Sequence, residues 1–449
     1  MNTRKLVVIG GDAAGMTAAS KIRREQPERE IIVFERGNHT SYSACGMPYY
    51  IGGQVESEEQ LIARKPEVFR KKQHIDVRIR HEVIEIDPKN KRVKVRNLDE
   101  EKEFWEPWDD LLIATGASPI VPNMENIEAS GIFALSTLQS GMDVFNFLKE
   151  KKPAKAVIVG GGYIGMEMAE AFLSRSMDVT LIDMAPQLMA TLDKDMADLI
   201  LEYMTEQQVK VFLKEKLVKF EKNSGGSIKS VITDKQTIPA DIVILGMGVK
   251  PNAELAARAG IKLGASDAIQ VNKRLETSEP HIWAAGDCAE SFHLVTQKQV
   301  HIALGTVANK HGLVAGINIS GGNAEFPGVL GTAITKFKEL EISRTGLSEK
   351  EAKELGVEYE AKTITSVSPA GYYIGSEKIH VKLVVNKQTQ RILGGQIVGF
   401  KGAAKRIDTI ATAISAGLTA QQMVDLDLAY APPFSGVWDP VQIAARKFI

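Results

Sequence analysis

The sequence predicts an α/β protein with two Rossmann-like units, followed by a C-terminal α+β region of different texture. Three observations carry this reading. A glycine-rich turn joins an apolar strand to a helix near the N-terminus, a second such turn recurs about 150 residues later, and the pattern stops after about residue 325. The 449 residues exceed one ordinary core and suggest two or three domains.

The first unit starts with Lys5-Leu6-Val7-Val8-Ile9 and turns through Gly10-Gly11-Asp12-Ala13-Ala14-Gly15. A helical pattern from Met16 to Arg24 follows, then a strand from Glu30 to Phe34 that ends at Glu35. The second unit repeats this order: Ala156-Val157-Ile158-Val159, Gly160-Gly161-Gly162-Tyr163-Ile164-Gly165, a helix from about Met166 to Ser174, and a strand from Val179 to Ile182 ending at Asp183. Such a turn lets backbone N–H groups approach a pyrophosphate at a helix end, and the carboxylate on the next strand binds ribose hydroxyls. Either turn also serves plain helix–strand packing. The first departs from the pattern, because Asp12 stands where the middle glycine belongs, and its bulk and charge oppose a phosphate.

Short Val/Ile-rich runs at 111–114, 241–245 and 281–284 read as buried strands. Asn223-Ser224-Gly225-Gly226-Ser227 reads as a hairpin turn. After 325, a β-like Val381-Lys382-Leu383-Val384-Val385 and a helix-like run from Ile407 to Ile414 mix without glycine turns. Thr277 to Asp287 ends in Ala284-Ala285-Gly286-Asp287, a strand entering a Gly-Asp turn; Asp287 there suits a flavin ribityl hydroxyl or caps the next helix.

The formal charge of −1, with 44% hydrophobic and 25% charged residues, gives no overall basic field for nucleic acid or a membrane surface. No apolar run reaches the ~20 residues of a membrane span, and Leu6 to Ile9 is too short for a signal-peptide core. Two cysteines cannot build a disulfide framework, and free thiols fit a reducing, cytoplasmic setting. The eight histidines show no metal-ligand spacing, so no metal is expected.

Cys45 is the reactive candidate. It lies in Ser41-Tyr42-Ser43-Ala44-Cys45-Gly46-Met47-Pro48-Tyr49-Tyr50, where Pro48 marks a helix start whose positive end favours a thiolate. Its bland alternative is an inert buried thiol. The other cysteine, Cys288, is far along the chain and reads as structural, so the partner of a reactive Cys45 is a small thiol or an oxygen atom.

Taken together, these motifs resemble the flavin-dependent pyridine nucleotide–disulfide oxidoreductases. The glycine turns, Leu112-Ile113-Ala114-Thr115-Gly116 and Ala284 to Asp287 stand in that family's order. Cys45-Gly46-Met47-Pro48-Tyr49-Tyr50, Ala370-Gly371-Tyr372-Tyr373 and Tyr430 to Pro440 resemble the coenzyme A-disulfide reductases. The resemblance implies a split FAD-binding domain (1–115 and 250–325), an NAD(P)H-binding domain (116–249) and a dimerisation domain (326–449) that completes the partner's active site in a homodimer. The implied cofactor-binding residues are Gly10, Gly11, Ala14, Gly15, Glu35, Thr115, Gly116, Gly160, Gly162, Gly165, Asp183, Gly248, Gly286 and Asp287. Cofactors are FAD and NADH, with NADPH as the alternative: Asp183 repels a 2′-phosphate, and no Lys or Arg follows until Lys194.

By the same resemblance, NADH reduces FAD, and the electrons split a Cys45–CoA mixed disulfide. The freed thiolate attacks the next CoA disulfide. Tyr372 and Tyr430 of the other subunit serve the leaving thiolate, with Tyr373 an adjacent ambiguity and interface packing their alternative. Thr17, Lys21, Arg24 and Ser41 are the implied CoA contacts, with a solvated helix face as the alternative for Lys21 and Arg24. Glu167 holds a structural position near the nicotinamide side.

Three other functions compete. A CoA-persulfide or polysulfide reductase would use the same Cys45, and no fused sulfur-transfer domain is expected because the chain ends at Ile449, soon after the Tyr430 motif. An NADH oxidase or peroxidase would cycle Cys45 through a sulfenic acid, but Ala13 stands where that branch has a histidine. A non-catalytic redox sensor has no tail or extra module in its favour.

Overall fold

The computed structural model describes residues 4–449. The first apolar strand, Lys5–Ile9, lies in the middle of a five-stranded parallel sheet. Its neighbours are Glu30–Glu35, with Asp76–Ile79 beyond, and Asp110–Ile113, with Ile282–Ala284 beyond. The chain therefore leaves this sheet after Ile113 and returns to it at Ile282. A two-stranded antiparallel link, Ala117–Pro119 against Val249–Pro251, carries it out and back. A second five-stranded parallel sheet lies between, in the order Lys210–Leu213, Asp178–Asp183, Lys155–Val159, Ile242–Leu245, Ile132–Ala134. Strands such as Leu6-Val7-Val8-Ile9 are apolar throughout because both faces of a parallel sheet are covered.

The late change of texture is an antiparallel sheet in the order Ala333–Phe337, Leu340–Gly346, Ile392–Gly399, Glu377–Asn386, Tyr359–Ser368. Ile407–Ser415 buries Ile407, Ile410 and Ile414 against it, the three- and four-residue spacing of one helix face. The 223–227 segment is a hairpin turn, joining Leu217–Lys222 to Ile228–Thr233.

Both glycine-turn helices begin earlier than the sequence pattern predicts, at Ala13–Glu25 and Tyr163–Leu173. Apolar periodicity starts late there, whereas the backbone turns helical directly after the cap residues Asp12 and Gly162. The Ala13–Glu25 helix packs on Gly305–Ile319, where Gly312 and Gly316 lie one turn apart. A Cβ at Gly312 would collide with the Ala14 carbonyl oxygen.

The short helix after Cys45, Met47–Gly52, is built into the second sheet's core rather than the first. Met47, Tyr50 and Ile51 are buried with Leu138, Phe172 and Met166. Each such side chain contributes about 1.5–3 kcal/mol. Arg175 fastens the same helix by donating from Nε to the Ile51 carbonyl (2.7 Å). The helix that follows the cysteine is thus anchored in the second parallel-sheet unit.

Candidate functional site

The two glycine turns share one wiring. In the first, the Gly11 N–H donates to Glu35 Oε2 (2.8 Å), and Glu35 Oε1 accepts from Gly37 N–H (2.7 Å). In the second, the Gly161 N–H donates to Asp183 Oδ2 (2.7 Å), and Asp183 Oδ1 accepts from Ala185 N–H (2.7 Å). Each carboxylate therefore stands at its strand end against the turn, where ribose hydroxyls of a bound dinucleotide belong. A Cβ at Gly162 would meet nothing within 4 Å, which leaves the approach to the helix end open.

Asp12 in the first turn has a partner across the chain. Its carboxylate accepts from the Tyr42 N–H (3.2 Å), tying the turn to the loop that carries Cys45. Burial, with Glu35 and Asp287 nearby, pushes it up to about 6.

The Gly-Asp turn fits a flavin chain. Gly286 has φ +82° and approaches Ala14 closely. Asp287 Oδ1 is buried with no hydrogen-bond partner. An orphaned buried oxygen is costly unless a ligand hydroxyl completes it. His301 Nε2 donates to the Asp287 carbonyl (2.7 Å). Sequence reading overlooked His311, which is fully buried behind this turn. Its Nδ1 accepts from Gly286 N–H (3.3 Å), so Nε2 carries the proton toward Ser291 Oγ (3.2 Å). Burial pushes His311 down to about 4, which keeps it neutral. Thr115 bonds to Asn252 through both its hydroxyl (2.7 Å) and its carbonyl (2.8 Å), just before Gly116 at φ +68°. Gly248, at φ +93°, accepts from Ile120 N–H (2.9 Å) on the opposing link strand.

Cys45 sits in the turn Ala44–Gly46 and is exposed. Cys288 is buried, with its sulfur 3.4 Å from the Ala285 carbonyl and 3.5 Å from that of Ile113. Although the residue is exposed, protein around the Cys45 sulfur partly desolvates it, and this, followed by the Glu167 and Asp287 carboxylates, pushes the thiol up. The helix that follows Cys45 is only six residues long.

Glu167 accepts from the Thr335 hydroxyl (3.1 Å), and burial pushes it up to about 7. An ionised Glu167 opposes a second negative charge at Cys45. Glu167→Gln is therefore expected to lower the pH at which Cys45 is alkylated by iodoacetamide. An unmoved alkylation profile would show that Glu167 has no hold on the thiol.

Thr17, Arg24 and Ser41 line one cavity of about 450 Å³ together with Tyr42, Arg64 and Asn309. Thr17 donates to Asn309 Oδ1 (2.9 Å). Ser41, at φ +47°, accepts at its carbonyl from Ala63 N–H (2.8 Å), which brings Arg64 alongside. Nothing local in the sequence marks Arg64. Lys21 is not among the lining residues and instead pairs with Glu25 (2.5 Å).

Tyr430 lies close enough to Tyr372 to raise it, whereas the Tyr373 N–H donates to the Ala370 carbonyl (2.7 Å). They belong to an exposed apolar surface with Ile374, Phe434, Val437 and Trp438. A patch of this kind marks an interaction surface. Among the described residues, no group of His, Cys, Asp or Glu has the arrangement of a metal site, and no helix is long and apolar enough to cross a membrane.

Two glycine turns with strand-end carboxylates, a Gly-Asp turn with an orphaned buried oxygen and a lone exposed cysteine point to a flavin- and nicotinamide-dependent oxidoreductase. Residues 4–312 match the family model for pyridine nucleotide-disulphide oxidoreductases, and residues 332–440 match the dimerisation domain of the same family. The chain belongs to that family, whose cofactors are FAD and NAD(P)H. A Pyrococcus furiosus protein named NAD(P)H sulfur oxidoreductase (CoA-dependent) is 42% identical over 447 residues, 99% of each chain. A coenzyme A disulfide reductase of Staphylococcus haemolyticus is 30% identical over 448 residues, again 99% of each. The solved structure of an NAD-dependent persulfide reductase from A. fulgidus superposes with a TM-score of 0.95 at 40% identity, over 99% of this chain and 82% of that one.

Proposed function

We propose that this protein reduces a sulfur–sulfur bond carried by coenzyme A, with Cys45 as the sulfur that exchanges with it. The observation that carries the reading is the isolation of Cys45. The second cysteine is buried behind Ile113 and Ala285, so the other half of a redox disulfide must come from a small molecule. The cavity holding Thr17, Arg24, Ser41 and Arg64 offers two guanidinium groups to phosphates beside the Cys45 loop.

The FAD-binding part is assembled from 1–115 and 250–325, the NAD(P)H-binding part from 116–249, and 326–449 forms the homodimer contact. When bound, FAD supplies the passage of two electrons from NAD(P)H to sulfur. The chain's residues do the rest. Cys45 attacks CoA disulfide, forms a Cys45–CoA mixed disulfide and expels one CoA thiolate; two electrons and a proton then release the second CoA and restore Cys45. The Tyr372–Tyr430 pair from the partner subunit donates hydrogen bonds to the departing thiolate. The second reading replaces the disulfide by CoA persulfide. Cys45 attack then gives the same mixed disulfide and expels hydrosulfide. The names of the Pyrococcus and A. fulgidus relatives favour it.

Intact mass of the non-reduced protein tests the shared step. One CoA added at Cys45, and lost on reduction, is the expected result; a bare thiol or an added oxygen overturns it. Hydrosulfide against CoA as first product then separates the two substrates. NADH is the preferred donor, because the Asp183 carboxylate stands where a 2′-phosphate would come. Asp183→Ala is expected to cut the NADH-over-NADPH ratio of kcat/KM at least about tenfold, about 1.4 kcal/mol, the lower end of what relieving a like-charge contact releases. An unchanged ratio would remove Asp183 from the ribose site.

A further inference from the structure

The segment from Asp183 to the helix Lys194–Glu206 begins in the second nucleotide turn and ends in the grip of the antiparallel sheet. At its near end Asp183 holds Gly161 N–H, and the Met189 N–H returns to the Gly161 carbonyl (2.8 Å). Leu188 and Met189 are buried beneath the turn. At its far end, Arg344 donates to the Thr191 carbonyl (2.9 Å). Gln396 and Asp193 exchange two hydrogen bonds: Asp193 N–H to Oε1 (2.9 Å) and Nε2 to Asp193 Oδ2 (2.7 Å). Lys382, with 4% of its side chain exposed, reaches Glu349 (2.5 Å), Asp195 (2.7 Å) and Asp193 (3.3 Å).

Two of those three carboxylates belong to the nucleotide unit, and the lysine and Glu349 belong to the sheet region. A buried ion cluster is a poor way to add stability, because desolvation consumes most of the attraction. What it does supply is one fixed register between the bodies it joins. That register reaches a ligand path. Tyr163 shares a cavity wall with Thr191, and Tyr163 follows Gly162 directly. Tyr163, Thr191 and Arg344 line a cavity of about 610 Å³ together with His301 and Leu304, next to the Asp287 turn.

We infer that Lys382, Gln396 and Arg344 are positioning residues for the pyridine nucleotide: the antiparallel sheet holds Thr191–Asp195 in register and so sets Asp183 at one end of the nucleotide's path and Tyr163 at the other. The inference rests on the assignment of the Gly160–Gly165 turn to NAD(P)H. It makes the C-terminal region part of nucleotide recognition within its own chain, separate from any contact between subunits.

The test is anaerobic flavin reduction by NADH, followed in the FAD-loaded full-length protein and in Lys382→Met, Asp195→Asn and Gln396→Met. In Lys382→Met the half-saturating NADH concentration is expected to rise about tenfold, within the range of ordinary coupling energies. The limiting reduction rate, the KM for CoA disulfide and the FAD content are expected to stay as they are. Lys382→Arg is expected to recover most of the affinity. Asp195→Asn and Gln396→Met are expected to shift half-saturation the same way by less. They leave Lys382 paired with two or more carboxylates, so they decide the matter if Lys382→Met does not fold. Unchanged NADH half-saturation in these folded variants overturns the inference alone. An equal rise in KM for NADH and for CoA disulfide does the same, because it marks general damage. Failure of NADH and NADPH to reduce the unaltered protein overturns the nucleotide assignment itself, and the inference with it.

Discussion

Cys45→Ser is expected to lower turnover of CoA disulfide by more than about 10³-fold while the protein keeps its fold and its FAD. The magnitude follows from the proposed role of Cys45 as the group that makes and breaks the covalent bond. Serine adds no bulk in the Ala44–Gly46 turn, and the residues that anchor the following helix, Met47, Tyr50 and Ile51, are untouched. Cys288 cannot take over, since it is buried and its sulfur faces two backbone carbonyls. Two readouts separate the competing chemistries. Flavin reduction by NADH survives in the variant under every reading, because that step precedes the sulfur. Disulfide turnover and the CoA adduct disappear together only if Cys45 carries the mixed disulfide. Retained turnover would end the proposal. Oxygen consumption unchanged in the variant would show that any oxidase activity belongs to the reduced cofactor and not to a sulfenic acid at Cys45.

The parts of this molecule written in contiguous residues were readable in advance, and the parts written across it were not. Each glycine turn lies within six residues, so strand, turn and helix could be read together; only the helix starts at Ala13 and Tyr163 were placed late. That Ile282–Ala284 lies beside Asp110–Ile113 depends on a pairing across some 170 residues, and only family resemblance suggested it. One contact of Asp12 was hidden for a related reason, since its partner is the Tyr42 backbone, 30 residues away. Arg64, His311 and Lys382 carry no local signal at all. Arg64 is placed by backbone bonds to Ser41, His311 by the Gly286 turn, and Lys382 by carboxylates at the start of the distant Lys194–Glu206 helix. The Cys45 thiol shows the same limit in electrostatics. Pro48 announces a helix start, but the carboxylates that act on the sulfur, Glu167 and Asp287, come from distant segments.

Gly162→Ala and Gly165→Ala are expected to fail in opposite ways, although they lie three residues apart in one turn. At Gly165 a Cβ would collide with the carbonyl oxygen of Gly160, and neither backbone can move without separating helix from strand. Overpacking of that kind costs up to about 3 kcal/mol, so Gly165→Ala is expected to lower the thermal unfolding midpoint and to lose NADH-dependent activity as a consequence. At Gly162 the backbone is extended, with φ −86°, and a Cβ would meet no protein atom within 4 Å. Gly162→Ala is therefore expected to unfold within about 0.5 kcal/mol of the unaltered protein. The space it fills is the approach to the helix N-terminus, which a pyrophosphate must enter to reach the backbone N–H groups. Its half-saturating NADH concentration is expected to rise tenfold or more, at about the 1.4 kcal/mol that each decade represents. A folded Gly162→Ala protein with undiminished NADH affinity would mean that the open space above Gly162 is not the nucleotide's cradle. A Gly165→Ala protein of normal stability would mean that helix and strand tolerate a separation the close approach of Gly165 to Gly160 argues against.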